Sequence, residues 1–168
     1  DQLKFINTLK FSADNLLGLI NDLLDFAKIR AGKVVFEKTE FRIREVIGNI
    51  YESYRLQLDS SRIDLVLDID PEVPVMVVGD YTRLSQVLNN LLSNAQKFTE
   101  KGKIKITLQP EERTAEEIRL RFMVSDTGIG ITADKMESIF EPFNQGEADT
   151  TRKYGGTGLG LSIVRQLI

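Results

Sequence analysis

Residues 90–98 read Asn90-Leu91-Leu92-Ser93-Asn94-Ala95-Gln96-Lys97-Phe98. On a helix, Asn90, Asn94 and Lys97 share one face, because residues three and four apart are neighbours. Leu88, Leu91, Leu92 and Ala95 can then pack elsewhere. The polar face carries two carboxamides and one ammonium. Carboxamide oxygens are neutral hard ligands, and magnesium accepts such oxygens while keeping waters and phosphates around it. For any one of these residues alone, a solvated helix face is the simpler reading. A function has to be argued from what the rest of the chain supplies.

Working outward, Asp80 is a suitable N-cap for a helix running to about Phe98, before Gly102. Beyond it, residues 103–108 and 118–125 alternate apolar and polar and predict two strands. The polar stretch 110–117 between them predicts a hairpin loop. Upstream, Ile63, Leu65, Leu67 and Ile69 face one way on a half-buried strand, and Pro71 and Pro74 mark a loop. Residues 42–59 predict an amphipathic helix, with Ile43, Val46, Ile47, Ile50, Tyr54 and Leu58 on one side. Residues 34–36 predict a short strand. A last helix starts near Gly158. This order lacks the regular alternation of a doubly wound parallel sheet. It predicts an α+β fold with helices layered on one face of a mixed sheet.

Residues 1–31 predict one long helix, stopped by Gly32. Ile6, Ala13, Ile20 and Ala27 recur at one heptad position, and Leu9, Leu16 and Leu23 three residues further on. Phe5, Leu17, Leu19, Leu24 and Phe26 widen the stripe to bundle width. No other segment has matching heptads. Dimerisation through this helix is therefore expected in preference to packing on its own domain.

Composition removes whole classes of chemistry. The 168 residues contain no histidine and no cysteine, which excludes imidazole bases, catalytic triads, disulfides and thiolate metal sites. Lysine plus arginine total 22 against 25 acidic residues, a net charge of −3, which argues against nucleic acid as a partner. No run approaches the roughly 20 apolar residues that span a bilayer, and no signal peptide opens the chain. The first residue is Asp1, so a piece of a longer protein is expected.

Three further clusters complement the asparagine face. Asp126-Thr127-Gly128-Ile129-Gly130-Ile131 follows a strand. Its carboxylate can accept a hydrogen bond from an exocyclic amine, and its glycines let backbone approach a flat ring. A dinucleotide fingerprint over Gly128, Gly130 and Ala133 is the weaker alternative, because the strand comes late and no parallel strand follows. Phe140-Glu141-Pro142-Phe143 is a stiff apolar turn that by itself reads as core. Gly155-Gly156-Thr157-Gly158-Leu159-Gly160 opens a helix, where backbone amides attract phosphate oxygens. Arg152 and Lys153, just before it, could reach phosphates. No Gly-Lys-Ser/Thr ends this cluster, so it is not a Walker loop.

Together and in this order, the clusters resemble the asparagine, first glycine, phenylalanine and second glycine boxes of bacterial sensor histidine kinases. The resemblance covers nearly the whole chain and is greatest to hybrid-type members over residues 80–102 and 150–166. Residues 23–33 look like the end of the second helix of the family's dimerisation and phosphotransfer domain. The resemblance implies a two-layer α/β sandwich of the type shared with gyrase, MutL and large heat-shock chaperones. It divides the chain into residues 1–32, a bundle helix, and residues 33–168, a catalytic ATP-binding domain lacking its C-terminal strands. ATP and Mg2+ are the implied cofactors. Asn94 is implied to bind the metal, with Asn90 supporting metal and phosphates, Lys97 contacting phosphate and Phe98 lying against adenine. Asp126 is implied to accept the adenine amino group, in a pocket shaped by Gly128, Gly130 and Ile131. Phe143, Arg152, Lys153 and the Gly156-Thr157-Gly158-Leu159-Gly160 run are implied to form a mobile lid and phosphate cradle.

The implied activity is transfer of the ATP γ-phosphoryl group to a histidine, for relay to a response regulator aspartate. ATPase relatives are expected to carry a glutamate four residues before the magnesium asparagine. Asn90 stands there, and an amide is no general base, so transfer is favoured over hydrolysis. The acceptor histidine is expected on a helix upstream of Asp1, which makes this piece alone inactive in autophosphorylation. The implied partners are a second copy, through the helical bundle, and a receiver domain. The implied location is a cytoplasmic portion, with no membrane contact of its own, of a parent that can be anchored in the inner membrane. An ATP hydrolase and a non-catalytic dimerisation module are the alternatives.

Overall fold

A computed structural model describes residues 2–144 and 157–168. Along the chain run α1 (Gln2–Arg30), β1 (Thr39–Arg42), α2 (Ile43–Gln57), β2 (Ile63–Ile69), β3 (Met76–Gly79), α3 (Tyr81–Phe98), β4 (Gly102–Arg113), β5 (Ile118–Asp126), two 3-10 turns (Ala133–Lys135 and Ser138–Phe140) and α4 (Gly160–Leu167). The chain forms two compact units, one of residues 36–132 and one of residues 1–35 with 133–168.

In the first of these, β2, β4 and β5 form one sheet in that order. β2 runs parallel to β4, from Ile63 opposite Gly102 to Ile69 opposite Leu108. β5 runs antiparallel to β4, so the sheet is mixed. Alternation along β4 turns Ile104, Ile106 and Leu108 inward. They meet Ile43, Ile47, Ile50 and Tyr54 of α2 and Leu88, Leu92 and Ala95 of α3 in one core. The other sheet face is polar and carries exposed ion pairs between Lys103 and Asp64 and between Lys105 and Asp68. Each buried aliphatic side chain contributes about 1.5–3 kcal/mol, each exposed pair about 0–1. The helix-covered face therefore holds the unit together.

Asp80 caps α3 as its sequence predicts. One carboxylate oxygen accepts from the Arg83 N–H at 3.0 Å, the other from the Glu37 N–H at 3.0 Å. Burial pushes its pKa up, but these backbone donors and the charge of Arg83 outweigh that and hold it below the usual carboxylate value.

The second unit is built on α1. Gly32, at φ 64°, ends the helix in a left-handed residue. Lys33 N–H donates to Lys28 C=O and Gly32 N–H to Ile29 C=O, both at 3.0 Å. This pair of bonds is the Schellman arrangement that glycine permits. Phe26 is buried against Leu159 and Ile163, with Ile29 and Leu167 beside them. Ile6, Leu9, Leu16, Ile20 and Leu23 of the heptad stripe are exposed. Among the described residues, no helix is long and apolar enough to cross a membrane.

Three expectations need correction. Residues 34–36 form no strand, and Val35 is 84% exposed. The strand lies instead at β1, where backbone pairing is available from β3, an element hidden in the loop predicted after Pro74. The hairpin loop is shorter than predicted: β4 continues to Arg113, and only residues 114–117 turn. Thr114 closes that turn, its N–H donating to Glu117 C=O at 2.8 Å and its hydroxyl accepting from Glu117 N–H at 3.0 Å. Pro110 is tolerated within β4 because the register shifts between Pro110 and Glu112, which relieves the ladder where no N–H is available.

Candidate functional site

In the unit of residues 36–132, α3 holds the asparagine face over the core. Asn90 and Asn94 are half-buried. The Asn90 side-chain amide nitrogen is enclosed and has no protein partner. Leaving such a donor unmet costs about 1–3 kcal/mol, so an acceptor from outside the protein is the economical explanation. Lys97 lies with its ammonium 4.8 Å from the centre of the Phe98 ring, within cation–π range. Burial lowers its pKa below the usual lysine value.

The end of α3 touches the loop after β5. The Ile129 N–H donates to Phe98 C=O at 3.3 Å. Gly128 is so close that a Cβ there would stand 2.3 Å from the same carbonyl oxygen. Its N–H donates to the Asp126 carboxylate at 2.9 Å and orients it. Gly130 adopts φ 70° and turns the chain onward, leaving Ile129 and Ile131 exposed. Asn90, Asn94, Lys97, Phe98, Asp126, Gly128, Gly130 and Ile131 thus belong to one α3–loop assembly. Thr127 adds a tie that the sequence did not suggest, its hydroxyl accepting from Lys103 N–H at 2.9 Å.

In the other unit, the Phe143 N–H donates to Gly158 C=O at 3.0 Å, which joins the phenylalanine cluster to the second glycine cluster. Phe143 sits at φ 62° and meets Phe26 edge-on, ring centres 6.2 Å apart. Gly158 also needs a positive φ, 69°. The Thr157 hydroxyl accepts from Leu159 N–H at 3.0 Å, Leu159 is buried, and Gly160 opens α4. Arg152, Lys153 and Gly156 lie outside the described residues.

Sequence reasoning missed two features of α3. The Tyr54 hydroxyl donates to Asn89 C=O at 3.1 Å. Thr99, at the C-cap of α3, is buried with an unpartnered hydroxyl. Its signal was a threonine in the apolar stripe Leu88, Leu92, Ala95.

Among the described residues no group of three or more acidic side chains could hold a metal ion. A divalent cation here would need carboxamide oxygens supplemented by the ligand's own oxygens and water, a donor set that suits magnesium. The Asn90–Asn94 face fits that requirement. A wide cleft of about 500 Å³ at the other end of the β4–β5 ladder is lined by Glu72, Glu111 and Glu112 against a single cation, Arg113, with Pro110 and Ile118, a net acidic lining that disfavours phosphate.

Residues 79–168 match the family described as histidine kinase-, DNA gyrase B-, and HSP90-like ATPase. The hybrid signal transduction protein dokA of Dictyostelium discoideum is 42% identical over 165 residues, 97% of this chain and 10% of its own length. Full-length ShkA, solved in complex with AMPPNP, superposes with a TM-score of 0.80 at 32% identity, over 98% of this chain and 33% of that one. Histidine kinase ThkA, solved in complex with the response regulator TrrA, gives 0.64 at 33% identity, over 98% of this chain and 43% of that one. The chain spans 8% to 18% of the length of eight highly similar curated relatives.

Proposed function

Because this chain belongs to the histidine kinase-, DNA gyrase B-, and HSP90-like ATPase family, we propose that it is the ATP-binding catalytic part of a hybrid-type sensor histidine kinase. Its reaction is transfer of the ATP γ-phosphoryl group to a histidine carried on a helix that precedes α1. The observation that carries this reading is the joining of the asparagine face to the Asp126 loop through the Phe98 carbonyl.

Each residue then has a task. Asp126, its carboxylate oriented by the Gly128 N–H, accepts from the adenine amino group. Asn90 offers its unpartnered amide to a phosphate oxygen or to metal-bound water. Asn94, one turn further along α3, supplies a carboxamide oxygen to Mg2+. Lys97 adds positive charge, and Phe98 an apolar surface. The sequence resemblance assigns phosphate contacts to Gly156, Thr157, Gly158, Leu159, Gly160, Arg152 and Lys153, and Phe143 is tied to Gly158 by a backbone bond. Bound Mg2+ supplies neutralisation of charge on the transferring phosphates. Asn90 occupies the place where a water-activating carboxylate would promote hydrolysis, and an amide cannot take a proton there.

Residues 1–32 are the second helix of a dimerisation and phosphotransfer bundle, and residues 33–168 the ATP-binding domain. The exposed heptad side chains of α1 support a homodimer through that bundle. The ThkA–TrrA complex supports a receiver domain as the downstream partner. This portion belongs on the cytoplasmic side of its parent.

Calorimetric titration of AMPPNP into this chain, with and without magnesium, tests the reading. Magnesium-dependent binding that Asn94→Ala abolishes is expected; magnesium-independent binding, or none, overturns it. Incubation with labelled ATP should leave this chain unlabelled, and label should appear on a histidine-bearing helix supplied in trans. Acid-labile label on the chain alone would contradict the transfer assignment.

A further inference from the structure

Gly102 opens β4 at φ 137°, a backbone conformation that favours glycine. Thr127, the residue after Asp126, stands against it. A Cβ on Gly102 would overlap the Thr127 hydroxyl oxygen and lie 3.4 Å from the Thr127 Cβ. The threonine thus takes the space that a side chain at position 102 would fill. Its hydroxyl accepts from the Lys103 N–H at 2.9 Å, and its own N–H donates to Lys103 C=O at 3.1 Å. The paired residues of β4 and β5 end one step earlier, at Ile104 opposite Asp126.

Stability does not account for this clasp. Thr127 and Lys103 are both exposed, and water could serve the Lys103 N–H in place of the hydroxyl, so the bond contributes little to folding. Valine suits the end of a strand as well as threonine does. The place of the clasp points to another task. The Thr127 N–H belongs to the peptide that carries the Asp126 C=O, so its bond to Lys103 fixes the backbone on the C-terminal side of Asp126. The hydroxyl bond adds a second tie at Thr127 itself. Together they limit rotation of the turn in which the Gly128 N–H meets the Asp126 carboxylate at 2.9 Å. A carboxylate that must meet an amino group at hydrogen-bond distance and angle tolerates little drift of its support. We propose that Thr127 is a positioning residue: clasped by Gly102 and Lys103, it holds the turn that aims the Asp126 carboxylate at the amino group of the nucleotide, acting through Asp126 rather than by touching the base. This rests on the ATP-binding reading above.

The test is calorimetric titration with Mg-ATP and with the magnesium complex of purine riboside triphosphate, which differs from ATP only in lacking the amino group. Thermal unfolding runs alongside, for the unaltered chain, Thr127→Val, Thr127→Ser and Gly102→Ala. Thr127→Val should weaken ATP binding about three- to tenfold, the range of one hydrogen bond, and leave binding of the analogue unchanged. Its melting temperature should stay close to that of the unaltered chain. Thr127→Ser should retain the preference for ATP. Gly102→Ala displaces the same hydroxyl from the other side and should show the same selective loss, with a lower melting temperature because of its φ of 137°. A folded Thr127→Val protein with full preference, or one that loses both nucleotides equally, overturns the proposal and leaves the ATP reading standing. So does a serine variant as weak as the valine one. An unaltered chain that binds both nucleotides equally overturns the role of Asp126 and this proposal with it, and one that binds neither overturns the ATP reading as well. Should Thr127→Val not fold, Thr127→Ala compared with Thr127→Ser isolates the same hydroxyl.

Discussion

The hydroxyl of Tyr54 on α2 donates to the main-chain carbonyl of Asn89 on α3 at 3.1 Å. The bond fixes the rotation of α3 one residue before Asn90 while the tyrosine ring packs in the core. Tyr54→Phe keeps the ring and removes the bond. It should lower stability by about 1 kcal/mol and weaken Mg-ATP binding, measured by denaturant midpoint and calorimetry. Burial raises the Tyr54 pKa. A group with a raised folded pKa contributes stability below its unfolded value and loses it as pH rises through the folded one. The wild-type chain should therefore lose stability above about pH 10 more steeply than the phenylalanine variant.

The two glycines of the Asp126 loop should fail for different reasons. A Cβ on Gly128 would collide with the Phe98 carbonyl and the Asp126 carboxylate. Gly128→Ala must then displace α3 or the loop, at about 1–3 kcal/mol, and should abolish nucleotide binding. Gly130 has open space around it but needs φ 70°. Gly130→Ala should cost about 1 kcal/mol of backbone strain and reduce binding only in part, with Gly130→Asn milder because asparagine tolerates that region. Equal losses at both positions would contradict this distinction.

The sequence pattern was a good guide where one face of an element is buried. The stripe Leu88, Leu92, Ala95 and the alternation Ile104, Ile106, Leu108 announce α3 and β4, and Asp80 and Gly32 mark ends that the backbone bonds confirm. It failed where pairing, not burial, decides. β3 alternates weakly, with Met76 and Val78 exposed, and exists because β1 lies beside it. Residues 34–36 are as apolar as a strand but have no strand to pair with. Pro110 looked like a loop residue until the register shift beside it became visible. The four clusters were legible as motifs. The Tyr54 bond and the orphan hydroxyl of Thr99 were not, since each depends on a partner, or on the lack of one, far along the chain.

Asp80 caps α3 through the N–H of Arg83 and ties the segment before β1 to it through the N–H of Glu37. Asp80→Ala should cost about 1 kcal/mol for the lost cap, and Asp80→Asn less. The folded pKa is depressed, so the stabilisation is present above the unfolded value near 3.8 and is lost as pH falls through the folded one. Acid unfolding of the wild type below that value should be steeper than that of Asp80→Asn, as followed by circular dichroism.

Lys97 should link nucleotide binding to protons. Burial lowers its pKa in the free chain, whereas a phosphate beside the ammonium favours the charged form and raises it. A group whose pKa rises on binding takes up a proton when the pH lies between the two values. ATP affinity should therefore fall as pH climbs past the free value of Lys97 toward 10.5, its ordinary one. Calorimetry in buffers of different ionisation enthalpy should detect proton uptake in the window between the free and bound values. Lys97→Gln should remove both the uptake and the alkaline loss of affinity. It should also weaken binding about tenfold or more, the scale of one lost charge-assisted hydrogen bond. A glutamine variant that keeps the same alkaline profile would show that another group carries the linkage.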